Sequence, residues 1–377
     1  MPLPRILRDL LNLPTAAFAE HAVLDYIRDA CAKLAGVSCT TDRYGNLLAR
    51  YRRNPPRGVT PLAFSAHTDH PGFVARKMRD ARTLHADFRG GVFAEYFPGA
   101  RVRFFSGGEW VFGKVLEVTR PRETKRSDGA KRRPQEVTVR VTRAVEPGSP
   151  GMWDLTDAAL KGDIVHARGC DDVAGAAALL ALLERLSRKQ AAAETYCLFT
   201  RAEEVGFIGA IAACKARTLP RRVPIIAIET SSARGGGAEI GAGPVLRVGD
   251  KASVFTPGLT NYCGRVAERL AKRRKSFQYQ RKLMAGGTCE STAYIVYGYQ
   301  ATGICLALGN YHNMDVDRGK ISAETISLRD WKQMVDWFEA LALDRPGYTR
   351  SAEPLRDELE KRFHRWAPLF DAPAPRG

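Results

Sequence analysis

No apolar run in this sequence of 377 residues is long enough to cross a membrane. A membrane-spanning helix needs about 20 consecutive apolar residues, and the longest candidate, residues 176–183, ends at Glu184. The first residues, MPLPRILRDLLNLP, contain prolines and charged side chains where a secretory signal has an unbroken apolar segment. We therefore expect a cytoplasmic protein without a membrane partner.

Paired cysteines are also missing. The eight cysteines are scattered along the chain and form no Cys-x-x-Cys motif. Neither a disulfide framework nor a structural zinc site is therefore predicted. We expect most of these cysteines to be reduced and buried as small apolar side chains.

Acidic residues are few compared with basic ones: 58 Lys and Arg face 41 Asp and Glu, which gives a net charge of +17. Such an excess can indicate a nucleic-acid-binding protein. The two densest basic runs, residues 120–133 and 269–275, lack the interleaved aromatic residues of a base-stacking surface. We interpret the first as an exposed loop and the second as a solvated helix face, so a nucleic-acid partner is not expected.

The chain divides into segments whose residue patterns predict different secondary structure. Residues 1–70 combine helical spacing with two strand patterns, and residues 166–345 alternate strands with helices, which favours a sheet with a parallel core and helices on both faces. Residues 71–165 between them contain short alternating runs typical of an all-β module. We predict a discontinuous α/β domain with this β module inserted, and residues 346–377 form a C-terminal extension.

Polar side chains cluster at the ends of the predicted strands, where open α/β sheets place their ligand sites. They are His67 and Asp69 after strand 61–66, Asp171 before helix Val173–Arg188, Glu203 and Glu204 after strand 194–200, Glu229 in strand 223–230, and His312 after strand 303–308. Burying this many carboxylates together requires compensating positive charge, which a pair of divalent metal ions supplies. Imidazole and carboxylate ligands suit zinc, with cobalt or manganese as alternatives.

The same residues carry a resemblance to a known family. The segments are, in order, AHTDHPGF, GCDDVAG, TRAEEVGFIGA, AIETS, MAGGTCESTAY and LGNYHNM. Together they resemble the glutamyl aminopeptidase family of co-catalytic dizinc metallopeptidases, which includes the tetrahedral aminopeptidases. The resemblance runs from about residue 6 to residue 343. It implies an α/β/α sandwich with a mixed, mainly parallel central sheet, and a small β-barrel domain inserted in the long interval between His67 and Asp171.

The resemblance also implies which residues bind the two metal ions. Asp171 would bridge both ions. His67 and Glu229 would complete one site. Glu204 and His312 would complete the other.

Catalytic roles follow from the same resemblance. Glu203 would be the general base that deprotonates the water bridging the metals, and Asp69 would orient the imidazole of His67. Asp172 would support the turn after Asp171. The five other histidines, His70 among them, have no place in the pattern, and we expect them to pack or to lie at the surface.

The predicted function is a metal-dependent aminopeptidase that releases N-terminal residues from short peptides. In the family that it resembles, the inserted β domain mediates assembly, so a homo-oligomer is expected. Two departures leave alternatives open: Glu229 stands where the family usually has Asp, and Cys289 replaces the Asp that commonly follows GGT. Glu229 is familiar in carboxypeptidase-like relatives, so a carboxypeptidase, a deacylase or another amidohydrolase of the same fold is the first alternative.

A catalytically retired scaffold with a basic nucleic-acid-binding surface is the second alternative. It requires damaged ligand positions, whereas all five positions and Glu203 hold residue types competent for the chemistry. The enzyme is therefore the favoured hypothesis.

Overall fold

The computed structural model describes residues 2–119, 136–234, 237–350 and 354–370. The basic run at 120–133 lies outside these residues. The strands are β1 (Val37–Thr41), β2 (Leu47–Arg53), β3 (Leu62–His67), β4 (Gly72–Asp80), β5 (Thr83–Arg89), β6 (Arg101–Ser106), β7 (Glu109–Thr119), β8 (Glu136–Val141), β9 (Pro150–Trp153), β10 (Ala159–Lys161), β11 (Ile164–Ala167), β12 (Ala193–Thr200), β13 (Ile225–Ser232), β14 (Val245–Asp250), β15 (Gln280–Met284), β16 (Ala301–Leu308), β17 (Met314–Asp315), β18 (Lys320–Ile321) and β19 (Glu324–Ser327).

The helices are α1 (Arg5–Leu11), α2 (His21–Cys31), α3 (Val173–Arg188), α4 (Ile208–Ala216), α5 (Pro257–Arg273), α6 (Glu290–Val296), α7 (Leu328–Ala342), α8 (Gly347–Arg350) and α9 (Pro354–Trp366). Short 3-10 turns lie at Ala94–Tyr96, Tyr311–Asn313 and Ala367–Leu369.

Eight strands form the central sheet, in the order β1-β2-β12-β3-β13-β16-β14-β15. The neighbours β12, β3, β13 and β16 are parallel, as are β14 and β15. The other three pairings are antiparallel. Every residue of β3 and β16 is buried, as expected for parallel strands that are covered on both faces.

Helices cover both faces of this sheet. On one face, helices α1, α2, α3, α5 and α7 share a core with Phe64 and Leu306. On the opposite face, α4 and α6 pack with Ala63 and Ile225. Successive residues of a strand point to opposite faces, which is why Ala63 and Phe64 belong to different cores. The predicted α/β/α sandwich with a mixed, mainly parallel sheet is confirmed.

Helix α3 lies at the centre of the larger core. It contains the longest apolar run of the sequence and is buried over most of its length, as expected for a helix that is apolar nearly all round. Trp331 of α7 donates its indole N–H to the carbonyl of Ala174, at 2.9 Å, which fixes the two helices against each other. Among the described residues, no helix is long and apolar enough to cross a membrane.

The inserted segment contains a closed antiparallel barrel, in the strand order β4-β5-β8-β7-β6-β9. Its interior is filled by aromatic rings. The Phe73 and Trp153 centroids lie 4.9 Å apart, and those of Phe88 and Phe97 lie 4.8 Å apart. Gly151 of β9 is required by this packing, since a Cβ there would lie 2.6 Å from the Phe104 ring.

Strands β10 and β11 pair outside the barrel. They form a separate antiparallel sheet with β19, in which Ala167 is opposite Glu324. The barrel strands therefore end at Trp153, and the chain returns to the sandwich before the Asp171 turn.

Strands β1, β14 and β15 and helix α6 were not predicted from the sequence. Strands β1 and β15 have five residues each and only one buried side chain between them, so neither shows an alternating apolar pattern. The eight cysteines are free thiols and all but Cys39 are buried, as expected. In the basic run at 269–275, Arg269 and Arg274 pair with the acidic residues Asp344 and Asp336.

Removing buried volume from α3 should destabilise the whole sandwich. Leu180 is fully buried, so we expect Leu180→Ala to lower the free energy of unfolding by about 2–5 kcal/mol. The matched control is Leu359→Ala on α9, where the leucine is 53% exposed and a change within about 0.5 kcal/mol is expected. Urea unfolding of both variants measures the difference, and equal losses would contradict the placement of α3 in the core.

Candidate metal centre

The predicted site residues lie at one edge of the central sheet. His67 ends β3, Glu203 and Glu204 follow β12, and Glu229 lies in β13. Since β12, β3, β13 and β16 are neighbours and parallel, their carboxyl ends meet at this edge. His312 follows β16 in the same way, and Asp171 enters from the turn that leads into α3.

The geometry centres on the carboxylate of Asp171. Its Oδ1 lies 3.3 Å from His67 Nε2, and its Oδ2 lies 3.6 Å from His312 Nε2. His312 Nε2 is also 3.3 Å from Glu204 Oε2. Two sets of ligand atoms, each within 4.8 Å of one another, share Asp171: one with His67 and Glu229, the other with Glu204 and His312.

Both imidazoles are oriented by backbone carbonyl groups. His67 Nδ1 lies 3.1 Å from the carbonyl oxygen of Asp69, and His312 Nδ1 lies 3.0 Å from that of Gly91. A proton on each Nδ1 satisfies these contacts and leaves both Nε2 lone pairs directed at the carboxylates. This is the usual arrangement of metal-binding histidines.

Several buried polar atoms of the cluster have no hydrogen-bond partner. Within the described residues, the buried atoms without a hydrogen-bond partner include His67 Nε2, Asp171 Oδ1, Glu204 Oε1 and Glu229 Oε1. An unpartnered buried polar atom is costly, and all four are atoms that can bind a cation. The residues present therefore fit divalent metal ions.

The electrostatics lead to the same conclusion. Burial and then the charge of Asp171 raise the pKa of Glu229 to about 8. Burial and the surrounding carboxylates also raise the pKa values of Glu203 and Glu204 well above their ordinary range. Burial opposes ionisation of Asp171 as well, but the neighbouring imidazoles of His312 and His67 outweigh it and lower its pKa. The cluster thus carries more negative charge than its own imidazoles balance.

A family model described as M42 glutamyl aminopeptidase matches residues 45–335. The chain belongs to the M42 family. The resemblance found in the six sequence segments is thereby confirmed, and membership supports an aminopeptidase as the enzyme class.

Similar proteins agree with this assignment. A curated protein of Acetivibrio thermocellus, which carries a provisional aminopeptidase name, is 25% identical over 317 residues, or 80% of this chain and 88% of the relative. The TET1 peptidase of Pyrococcus horikoshii, which can assemble into a tetrahedron or a large octahedral shell, matches with a TM-score of 0.72 and 20% identity over 90% of this chain and 98% of its own. An aminopeptidase of Desulfurococcus kamchatkensis matches with a TM-score of 0.71 and 19% identity over 90% and 94%. At these identities the structural matches show the fold.

In this M42 chain the carboxylate of Asp69 holds the loop that carries two acidic residues. Its Oδ1 accepts the backbone N–H of Glu203 at 2.9 Å, and its Oδ2 accepts that of Glu204 at 3.1 Å. The expected contact with the His67 imidazole is longer, 3.4 Å from Oδ1 to Nδ1. The backbone carbonyl of Asp69 makes the shorter contact with that ring.

Glu20 supports the same loop and was missed in the sequence. It is fully buried, and its Oε1 accepts the backbone N–H of Ala202 at 2.9 Å, while Arg201 donates to its Oε2 at 2.8 Å. Glu20 precedes α2, far from any motif, so no sequence signal singles it out.

His70 contacts two segments of the candidate centre. It is fully buried, with Nδ1 2.7 Å from the carbonyl oxygen of Asp171 and Nε2 3.0 Å from Asn313 Oδ1. Asn313 in turn donates to the carbonyl oxygen of Arg168 at 2.7 Å. These contacts tie the Asp171 turn to the segment that carries His312.

The turn at Asp171 has a cis peptide bond to Asp172. The Asp172 carboxylate is fully buried, and within the described residues neither of its oxygens has a hydrogen-bond partner. It lies so close to α3 that a Cβ at Gly175 would be 2.3 Å from Asp172 Oδ2. Asp172 is thus packed tightly against the first turn of α3, and its role in supporting the turn stays a prediction.

A cavity of about 270 Å³ opens beside the centre, and its lining includes Glu229, Tyr311 and Arg247. Arg247 is only 3% exposed, and its Nη1 donates to Ser231 Oγ at 3.1 Å. Its Nε has no hydrogen-bond partner among the described residues. Arg247 was not singled out in the sequence, because nothing near it in the chain resembles a motif.

The loop of Glu203 and Glu204 should be sensitive to added volume at Gly209. A Cβ there would lie 2.3 Å from the carbonyl oxygen and 2.5 Å from the nitrogen of Arg201, both backbone atoms that cannot move independently. We expect Gly209→Ala to lower the free energy of unfolding by about 1–3 kcal/mol, measured by urea unfolding. Gly286→Ala is the matched control, since no atom lies within 4 Å of a Cβ there; equal stabilities of the two variants would contradict the close contact.

Proposed function

We propose that this protein is a metal-dependent aminopeptidase that releases N-terminal residues from short peptides, with Glu203 as the general base. The observation that carries the proposal is the Asp171 carboxylate, which faces one imidazole with each oxygen. Unpartnered buried ligand atoms surround it on both sides. Membership of the M42 family supports the same activity.

The proposed centre would hold two divalent ions, zinc in the first place and cobalt or manganese as alternatives. Asp171 would be shared. His67 and Glu229 would complete one site, and Glu204 and His312 the other. When bound, such ions polarise a carbonyl group and lower the pKa of water.

The surroundings of Glu203 support its proposed role in proton transfer. Its side chain is 10% exposed, its Oε2 lies 3.9 Å from His67 Nε2, and its backbone is held by Asp69. It therefore reaches the same space as the ligand atoms while keeping access to a substrate. In the proposed reaction Glu203 accepts a proton from the attacking water and delivers it to the leaving amine.

Membership of the M42 family, whose model is described as a glutamyl aminopeptidase, favours cleavage at a free N-terminus. Glu229 is the one ligand that also fits a carboxypeptidase-like enzyme, so that alternative is kept for the experiment.

We also propose that the chain forms a homo-oligomer in the cytoplasm. The M42 fold is shared with the Pyrococcus horikoshii peptidase that can assemble into a tetrahedron or an octahedral shell. Residues 71–165, which contain the barrel, are the proposed domain for assembly and for control of substrate access.

The cavity beside Glu229 supports a preference for acidic N-terminal residues. Among the described residues, Arg247 makes no ion pair, and it is buried in the wall of this cavity. A buried guanidinium without a carboxylate partner is well suited to receive one from a ligand. We therefore propose that the side chain of the first substrate residue enters this cavity and that Asp or Glu is preferred there.

Replacing the general base should abolish turnover without removing the metals. We expect Glu203→Gln to lower kcat by about 10²–10⁴-fold, because the amide cannot accept the proton, while the metal content per chain stays unchanged. Hydrolysis of aminoacyl-anilides by protein reloaded with zinc, cobalt or manganese measures the loss. The control is Glu339→Gln on α7, whose carboxylate pairs with Arg185 of α3 and with Lys189, which directly follows that helix.

The same assay includes N-blocked peptides and substrates with only a free C-terminus. Cleavage restricted to free N-termini supports the aminopeptidase. Cleavage of only the blocked or C-terminal substrates would transfer the proposal to the carboxypeptidase or deacylase alternative. A protein that binds no metal and cleaves nothing would contradict the enzyme hypothesis.

Arg247 should determine the preference for acidic residues. We expect Arg247→Leu to lower the ratio of kcat/KM for a glutamyl-anilide to that for a leucyl-anilide by roughly 10–100-fold, the worth of one charged hydrogen bond. The matched control is Arg234→Leu. Arg234 lines the same cavity but is exposed and paired with Asp317, so the ratio of the two kcat/KM values should stay unchanged. An equal fall for both substrates would assign Arg247 to structure instead of specificity.

A further inference from the structure

Glu324 is a buried carboxylate between two segments of the proposed metal centre. It begins β19 and is fully buried. Its Oε2 accepts the backbone N–H groups of Cys170 at 2.6 Å and Asp171 at 3.1 Å, and its Oε1 accepts that of His312 at 2.8 Å. One side chain therefore holds the backbone of the shared carboxylate and of an imidazole that comes from a different part of the chain.

The segment that carries His312 depends on such support. Asn310, His312 and Asn313 have φ angles of 53°, 55° and 64°, in the left-handed region that few residues other than glycine adopt, although Asn and His tolerate it better than most. Asn310 donates to the carbonyl oxygen of Ala323 at 2.8 Å, next to Glu324. The chain around Glu324 thus fixes this backbone by several contacts.

The Asp171 turn is held on the same side. Asp171 faces His67 with one carboxylate oxygen and His312 with the other. His67 comes from β3, whose parallel neighbours fix it within the central sheet. The position of His312 relative to Asp171 instead depends on contacts between loops. His70 and Asn313 make some of them, and the Glu324 carboxylate accepts N–H groups from both backbones.

We propose that Glu324 is a positioning residue that sets the separation of Asp171 and His312 and thereby the affinity for the second metal ion, the one between Asp171, Glu204 and His312. The inference rests on the proposed function, because it assumes that these residues bind a cation. Glu324 itself would touch neither metal nor substrate.

The chemistry of the contacts makes the proposal specific to a carboxylate. Glu324 faces three N–H donors and offers two acceptor oxygens. A glutamine offers one acceptor oxygen and an NH2 group that only donates. Its oxygen can satisfy the paired donors of Cys170 and Asp171, and its NH2 group then opposes the N–H of His312.

The test is a titration of metal-stripped full-length protein with cobalt(II) alone. Calorimetry and the visible absorption of the bound ion monitor the binding. Wild-type protein should bind two ions. For Glu324→Gln we expect the dissociation constant of the first ion to change less than about threefold and that of the second to rise by about 10–100-fold, the usual effect of losing a group that orients a ligand. Glu339→Gln, remote from the centre, is the matched control and should bind both ions as the wild type does.

Selective loss of the second ion supports the proposal. Equal weakening of both ions, or binding like that of the wild type, overturns it. If Glu324→Gln fails to fold as judged by circular dichroism, Glu324→Asp decides. Aspartate keeps the carboxyl group but is too short to reach both backbones, so it should show the same selective loss, and unchanged binding overturns the proposal. A wild-type protein that binds fewer than two ions contradicts the metal centre itself, independently of the variants.

Discussion

The structure depends on the burial of mutually repelling carboxylates at one edge of a parallel sheet. Asp171, Glu203, Glu204 and Glu229 lie around two imidazoles, and burial raises the pKa of all of them except Asp171, on which two histidines converge. Such a cluster is unfavourable unless positive charge enters it. The cluster forms because the carboxyl ends of adjacent parallel strands bring side chains from distant parts of the sequence to one place.

The chain itself also holds the residues of this cluster in position. Each acidic loop is also held by a further buried carboxylate that accepts backbone N–H groups: Asp69 for the backbone of Glu203 and Glu204, Glu20 for that of Ala202, and Glu324 for the Asp171 turn. Each of these carboxylates supplies an acceptor to backbone N–H groups that burial would otherwise leave without a partner. The ligands are therefore preorganised by the chain, which reduces what an incoming cation must rearrange.

The sequence predicted the parts of this arrangement that leave a local pattern. Buried strands such as β16 and the apolar helix α3 have long uniform runs, and the ligands follow strands at regular places, so the fold class and the candidate residues could be predicted. Glu20 could not, since its partner Ala202 lies 182 positions away and only tertiary packing brings them together. Arg247 was missed because it lies in β14, a strand that was not predicted, and because nothing near it in the chain resembles a motif.

The inserted segment that contains the barrel contacts residues of the candidate metal centre. The carbonyl oxygen of Gly91, between β5 and β6, contacts Nδ1 of His312, so the segment after β5 helps to choose which imidazole nitrogen faces the carboxylates. Arg168, just before the Asp171 turn, pairs with Asp157 and lies 5.3 Å from the Trp110 ring of β7. A displacement of the barrel would therefore reach both His312 and the turn of the shared carboxylate. Any assembly contact made by the barrel is thus connected to the candidate metal centre through two short, identifiable sets of contacts.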